Sequence, residues 1–168
     1  MFQRTAVKPV LVIDLEKCRE CPSCKAPCSY RLHAGNDGIA RLREIAEFSV
    51  VCRHCENPPC VKICPVSALE RGPDGLLERH GHRCVACGSC CHACPFGALL
   101  PELMRIEASG CDFCLWRLQN GESPICVEGC GKGSILYGDF KPDPGFHLYA
   151  AGEHLVVHAI PWREEADS

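Results

Sequence analysis

The stretch Cys52-Arg-His-Cys55-Glu-Asn-Pro-Pro-Cys60-Val-Lys-Ile-Cys64-Pro65 spaces four cysteines as C-x2-C-x4-C-x3-C and closes on a proline. A close variant recurs at Cys84-Val-Ala-Cys87-Gly-Ser-Cys90-Cys91-His-Ala-Cys94-Pro95, spaced C-x2-C-x2-C-x3-C-P. Upstream, Cys18-Arg-Glu-Cys21-Pro-Ser-Cys24-Lys-Ala-Pro-Cys28 repeats the second spacing. Downstream, Cys111-Asp-Phe-Cys114 and Cys126-Val-Glu-Gly-Cys130 make a fourth group, C-x2-C-x11-C-x3-C. The chain is therefore a fourfold internal repeat, and repeats govern how a fold is read. The gaps between groups are 23, 19 and 16 residues, too short for each group to be a domain.

The 168 residues include 17 cysteines. That density means a disulfide scaffold in a secreted chain or metal binding in an intracellular one. The N-terminal region has only a four-residue apolar run, 10–13, which is too short for the core of a signal peptide. No apolar run reaches the length of a membrane span. These features point to a reducing, cytoplasmic location, with export on a partner's signal left open. The odd cysteine count also fits a full disulfide set poorly. A net charge of −3 without a basic stripe argues against nucleic acid as a partner. Aromatic residues make up only 7% of the chain, so the core is poor in large side chains. Bound metal is expected to hold the fold, because its binding energy becomes folding energy.

Between the cysteine groups the elements are short. Val10-Leu-Val-Ile-Asp-Leu15 reads as a β-strand leading into the first group. A turn at Gly35-Asn-Asp-Gly38 precedes segment 39–51, where Arg41-Leu-Arg-Glu-Ile45 alternates like a strand while Glu and Ala suit a helix; the reading favours strand. The runs on either side of Gly72-Pro-Asp-Gly75 read as a hairpin. Further short strands are expected at 96–100, 134–137 and 154–160, and a solvated end at 164–168.

Four groups of four give 16 thiolate ligands, which closes at four [4Fe–4S] clusters and leaves Cys91 over. Three cysteines two residues apart let a tight loop wrap three iron corners. The fourth lies three residues on, on a departing helical turn, and reaches a second cluster. The second and third groups end in Cys-Pro, whereas the first and fourth end in Cys28-Ser29 and Cys130-Gly131. This pairs group two with three and group one with four. Exchange of the fourth cysteines then yields four ligand sets. They are Cys52, Cys55, Cys60 with Cys94; Cys84, Cys87, Cys90 with Cys64; Cys18, Cys21, Cys24 with Cys130; and Cys111, Cys114, Cys126 with Cys28.

On these residues the chain resembles the four-cluster, ferredoxin-like electron-transfer subunits of molybdenum and tungsten oxidoreductases. The likeness runs over about 10–137. Its most specific pieces are Cys52-Arg-His-Cys55-Glu-Asn-Pro-Pro-Cys60 and Cys111-Asp-Phe-Cys114-Leu-Trp-Arg-Leu-Gln-Asn-Gly121, with Cys28-Ser-Tyr-Arg-Leu-His-Ala-Gly35 similar too. The resemblance implies the same nested pairing. It also implies an α+β fold of two pseudo-symmetric dicluster lobes with short antiparallel strands, stabilised by the clusters. One lobe takes 1–51 and 105–137, the other 52–104, and 138–168 is an extension suited to docking a partner. The implied role is an electron relay, with no catalytic site of its own. It would act between a catalytic subunit of tungsten- or molybdenum-pterin type and a further electron donor or acceptor. Gly131 stands where the family usually has proline, and Glu20 and Ala86 where glycine is common, which questions local loop geometry rather than ligand identity.

Other readings compete. Zinc takes four ligands, usually from two Cys-x2-Cys knuckles, and does not need the third closely spaced cysteine of groups one and three. Cys91 reads as a small buried side chain. A Rieske site needs two histidines in place of cysteines, and no group is short of cysteine. His54 and His92 read as hydrogen-bond partners or spacers, Phe113 and Trp116 as packing, and Lys25, Lys62 and Lys132 as solvated. No phosphate loop, nucleophile motif or C-x3-C-x2-C radical signature is present. A free-standing polyferredoxin carrier and a zinc-bound interaction module are the alternatives to a subunit.

Overall fold

A computed structural model describes residues 9–21, 24, 26–28, 38–101, 104 and 110–160. The turn residues 35–37, Lys25, the stretch 29–35 and the end 164–168 lie outside them.

Strand β1 (Val10–Asp14) buries Leu11, Val12 and Ile13. It feeds α1 (Leu15–Arg19), whose first turn is capped by Asp14 accepting from the Lys17 backbone N–H at 3.1 Å. This junction carries Cys18 on α1. After it come α2 (Gly38–Val50), α3 (Pro59–Ile63), β2 (Leu69–Arg71), β3 (Leu77–Arg79) and α4 (Ser89–Ala93). Then follow α5 (Leu115–Gln119), α6 (Ile125–Gly129), β4 (Ile135–Gly138), a 3₁₀ turn (Pro144–Phe146), β5 (Leu148–Ala150) and β6 (Leu155–His158).

The strands form two sheets among the described residues. One runs β4-β1-β6-β5, the other is the β2-β3 hairpin. The expected strand near 10–15, the hairpin around 72–75 and the strands near 134–137 and 154–160 are present. Three expectations are corrected. The strands are not all antiparallel: β1 pairs parallel with β6, Leu11 opposite Leu155 and Ile13 opposite Val157. Segment 96–100 forms no strand; Gly97 takes a φ of 64° there and the run ends at Pro101, so it turns instead of pairing. Finally, 39–51 is helix α2, not a strand.

The error over α2 has a physical cause. Ile39, Leu42 and Ala46 face a core made with Leu11, Ile13, Ile135, Leu155 and Val157. Phe48 faces a second core, of Cys60, Leu69, Leu77, Leu99 and Met104. A helix buried on two faces buries Leu42, Glu44, Ala46 and Phe48, every second residue. That spacing imitates the period of a strand.

Glu44 is the polar tie between α2 and the second sheet. Arg79 of β3 donates to it twice, Nε to Oε1 at 2.9 Å and Nη2 to Oε2 at 2.5 Å. Arg41 Nη1 donates to Oε1 at 2.7 Å. Both Glu44 and Arg79 are buried, with 2% and 5% exposure. Burial opposes the Arg79 charge, but Glu44 outweighs it and holds its pKa above the ordinary value.

The segment 138–168, set apart by sequence as an extension, supplies β5 and β6. Strand β6 lies between β1 and β5, with Leu155, Val156 and Val157 buried. At its end the His158 ring meets the Asp14 carboxylate at 3.1 Å. Burial pushes the Asp14 pKa up, but the Lys17 N–H and His158 outweigh it and hold the carboxyl below its usual value.

Replacing Glu44 by Ala leaves the Arg79 guanidinium buried without its counter-charge. The expected cost is about 3–5 kcal/mol, seen as a lower urea midpoint in anaerobic far-UV circular dichroism.

Candidate metal centre

Three short helices, α3, α4 and α6, deliver cysteines in the same way. Cys60 lies on α3, Cys90 on α4 and Cys126 on α6, and the helices are capped at their C-termini by Cys64, Cys94 and Cys130. At those caps the backbone leaves the helical region, with φ/ψ of −68°/112°, −77°/110° and −81°/95°. The third and fourth cysteines of a group therefore sit on either side of a helix end.

The turn after Cys64, Cys94 and Cys130 repeats in detail. Ser67, Gly97 and Gly133 have φ of 48°, 64° and 60°. The following residue then donates its backbone N–H to the cysteine sulfur. Ala68 reaches Cys64 at 3.2 Å, Ala98 reaches Cys94 at 3.4 Å and Ser134 reaches Cys130 at 3.3 Å. Gly131, the departure from Cys-Pro, does not prevent this bond. At the other end of the loops, His54, Ala86 and Phe113, each two residues past a first cysteine, have φ of 47°, 52° and 54°. Glu20, the equivalent in the first group, is right-handed with φ of −75°, so that loop starts differently. His54 donates its N–H to Cys52 at 3.5 Å, and its ring nitrogens stand 3.3 Å from the Gly75 carbonyl and 3.2 Å from the Ser49 carbonyl. It fastens this loop to the hairpin and to α2.

The cysteines meet across groups. One small cavity is lined by Cys52, Cys55, Cys60 and Cys94. Another is lined by Cys64, Cys84, Cys87 and Cys90. Cys111 lies close enough to Cys28 and Cys114 for their thiolates to repel, and Cys126 to Cys114, Cys111 and Cys28. Cys18 stands in the same relation to Cys130 and Cys24, and with Cys21 lines a neighbouring cavity. All 17 cysteines are free of disulfides.

Six of the thiols are costly to ionise without a bound cation. Burial pushes Cys90 up to about 12, helped by repulsion from Cys91. Burial likewise pushes Cys126 up to about 12 and Cys111 to about 11, with neighbouring thiolates adding to it. Burial also raises Cys18, Cys52 and Cys60. Cys130 runs the other way, because N–H groups of Ser134, Ile135 and Lys132 outweigh its burial. Such a donor set suits a highly charged metal group that keeps the sulfurs as thiolates.

Among the described residues, no three His, Cys, Asp or Glu side chains converge on a point that would hold a single metal ion.

Of the remaining described candidates, Cys91 and Phe113 pack against a core and the others are exposed. Cys91 is half-buried against the second core, beside Cys90. Phe113 packs on the first core and meets the His154 ring at 5.4 Å. Trp116 is 39% exposed, and Lys62, Lys132 and His92 are exposed. The N–H···S turn was not anticipated; its signal was present in the recurrence of a small residue, Ala68, Ala98 or Ser134, four positions after each of these cysteines.

A family description of a 4Fe-4S dicluster domain matches residues 43–140. The protein belongs to the 4Fe-4S dicluster domain family. This dicluster protein is 35% identical over 147 residues to a subunit of the tetrathionate reductase of Salmonella typhimurium, covering 80% of the chain and 58% of that relative. It is 32% identical over 145 residues to a chain of the anaerobic dimethyl sulfoxide reductase of Escherichia coli, covering 75% of the dicluster protein and 71% of that relative. It is 40% identical over 135 residues to the Hdr-like menaquinol oxidoreductase iron-sulfur subunit 1 of Archaeoglobus fulgidus, covering 64% and 50%. The dicluster protein thus spans little more than half the length of its tetrathionate reductase relative. Among the described residues, no helix is long and apolar enough to cross a membrane.

Ala86 holds a left-handed conformation that costs a non-glycine residue about 1–2 kcal/mol. Ala86→Gly is expected to slow thermal loss of the visible absorption that bound iron–sulfur clusters would give, the gain reduced by the greater chain entropy of glycine.

Proposed function

We propose that this chain is a non-catalytic electron-transfer subunit holding four [4Fe–4S] clusters. It works between a catalytic subunit, of tungsten- or molybdenum-pterin type, and a further redox partner. The observation that carries the reading is the sharing of fourth cysteines. Cys94 lines the cavity of Cys52, Cys55 and Cys60, while Cys64 lines that of Cys84, Cys87 and Cys90. Proximity of Cys28 to Cys111 and Cys126, and of Cys130 to Cys18, supports the same exchange between groups one and four.

When bound, each cluster would accept and release one electron, which is the chemistry a relay needs. The protein's part is to hold and tune. Backbone N–H groups of Ala68, Ala98 and Ser134 point at sulfur and favour its thiolate state. Apolar residues such as Leu99 and Leu77 line the Cys52 cavity and limit water. The split into two cores, one with Cys18, Cys111, Cys126 and Cys130 and the other with Cys52, Cys60, Cys90 and Cys94, supports two lobes, 1–51 with 105–137 and 52–104. The face of segment 138–168, where Phe146 is 73% exposed, is proposed for partner docking. The names of the relatives as reductase components support a complex over a free carrier. We place this chain in the cytoplasm, with carriage on a partner's export signal still open.

Anaerobic iron and sulfide analysis should return about sixteen of each per chain; zinc in their place would overturn the reading. Co-purification from the source separates a subunit from a carrier. Removing iron should abolish native far-UV circular dichroism, since the protein core is small.

Cys64→Ser should alter the electron paramagnetic resonance signal that Cys84→Ser also alters. It should spare the one changed by Cys52→Ser.

A further inference from the structure

Gly129 closes α6 directly before Cys130, and its φ is not left-handed. Backbone freedom therefore does not require glycine there, and glycine is a poor residue in a helix. Space does require it. A Cβ built on Gly129 would overlap Cδ of the Pro27 ring and stand 2.8 Å from its Cγ, with the Pro27 backbone nitrogen at 3.5 Å. A proline ring cannot swing aside to make room, because it is closed onto its own backbone. At Gly88, Gly131 and Gly133, which also stand in or beside cysteine groups, a Cβ would meet nothing within 4 Å.

Pro27 is the residue before Cys28, as Gly129 is the residue before Cys130. Both cysteines are the fourth of their group. Cys28 stands near Cys111 and Cys126 of group four, and Cys130 near Cys18 of group one. The contact between Pro27 and Gly129 thus lies where the two arms cross. The other two groups cross differently. There α3 packs on α4, and the corresponding residues are Ile63 before Cys64 and Ala93 before Cys94, both with a Cβ. Ala26, Pro27 and Cys28 lie in no helix, so α6 meets a proline ring at close range instead of a helix face.

We propose that Gly129 is the positioning residue for the exchange of fourth cysteines between groups one and four. Its missing side chain lets Pro27 rest on the end of α6. That close seat brings Cys28 to the Cys111/Cys114/Cys126 site and Cys130 to the Cys18/Cys21/Cys24 site. A methyl group at this position drives the Pro27 arm and the end of α6 apart and takes the fourth thiolate out of reach. The proposal rests on the iron–sulfur relay proposed above, in which each cluster takes four thiolates.

The test uses the full chain loaded with clusters, assayed anaerobically for iron and by electron paramagnetic resonance. The signals altered by Cys28→Ser and by Cys130→Ser identify the two sites. Gly129→Ala should lose most of the intensity of those signals and lower the iron content. The signals altered by Cys52→Ser and Cys84→Ser should keep the parent's intensity. Pro27→Ala removes the ring atoms and by itself should load like the parent. Gly129→Ala made in that background should then leave both signals nearly unchanged. Such a cycle isolates the contact from the separate effects of each substitution. Full iron and unchanged signals in Gly129→Ala overturn the proposal, as does an equal loss at every site. An equal loss with and without Pro27→Ala overturns it too, as does a failure of Pro27→Ala alone to load. If Gly129→Ala alone does not fold, the Pro27→Ala background decides: recovery of a loaded chain upholds the proposal, and its absence overturns it. A parent chain without iron and sulfide overturns the relay reading instead, so the two failures are distinct.

Discussion

Crowding four thiols into one poorly solvated cavity is the constraint around which this protein is built. Thiolates such as those of Cys90 and Cys126 are penalised twice, by burial and by their neighbours, which pushes each up to about 12. Two things relieve it. A highly charged metal group supplies the counter-charge, and backbone N–H groups aimed at sulfur supply the rest. The short helices and their abrupt ends at Cys64, Cys94 and Cys130 exist to present both. Little conventional core is needed, and little is present.

What core there is serves to keep the cavities in register. Helix α2 lies between two apolar clusters and is buried on both sides. Its apolar contacts bind it to β1 and β6 on one side, and Glu44 binds it to Arg79 on the other. The same helix thus joins the sheet that backs the first and fourth cysteine groups to the hairpin that backs the second and third. The segment after 138 contributes to this scaffold through β6, which fills the space between β1 and β5. Any docking role of that segment is therefore exercised from a strand that also holds the sheet together.

The loops show how a repeat tolerates variation. The N–H···S turn survives the change from Cys-Pro to Cys130-Gly131, because it depends on a left-handed residue and the next N–H, not on the proline. By contrast, the left-handed position two residues after the first cysteine is kept in three groups and absent at Glu20. The first group, at the start of the chain, is thus the one that departs from the pattern.

Cysteine spacing was enough to read the repeat, and apolar runs with their turn residues most of the short strands. These are local properties: a ligand loop needs cysteines at set intervals, and a hairpin needs its Gly-Pro-Asp-Gly turn. The helix at 38–50 was misread because its burial alternates, and that alternation comes from having a core on each side, a fact of packing that no window of sequence contains. The parallel pairing of β1 with β6 and the bond from Arg79 to Glu44, 35 residues away, are non-local in the same way. The sequence by itself determined which atoms could bind metal. Only the tertiary structure decided which charges and strands stand beside them, because those neighbours come from distant parts of the chain.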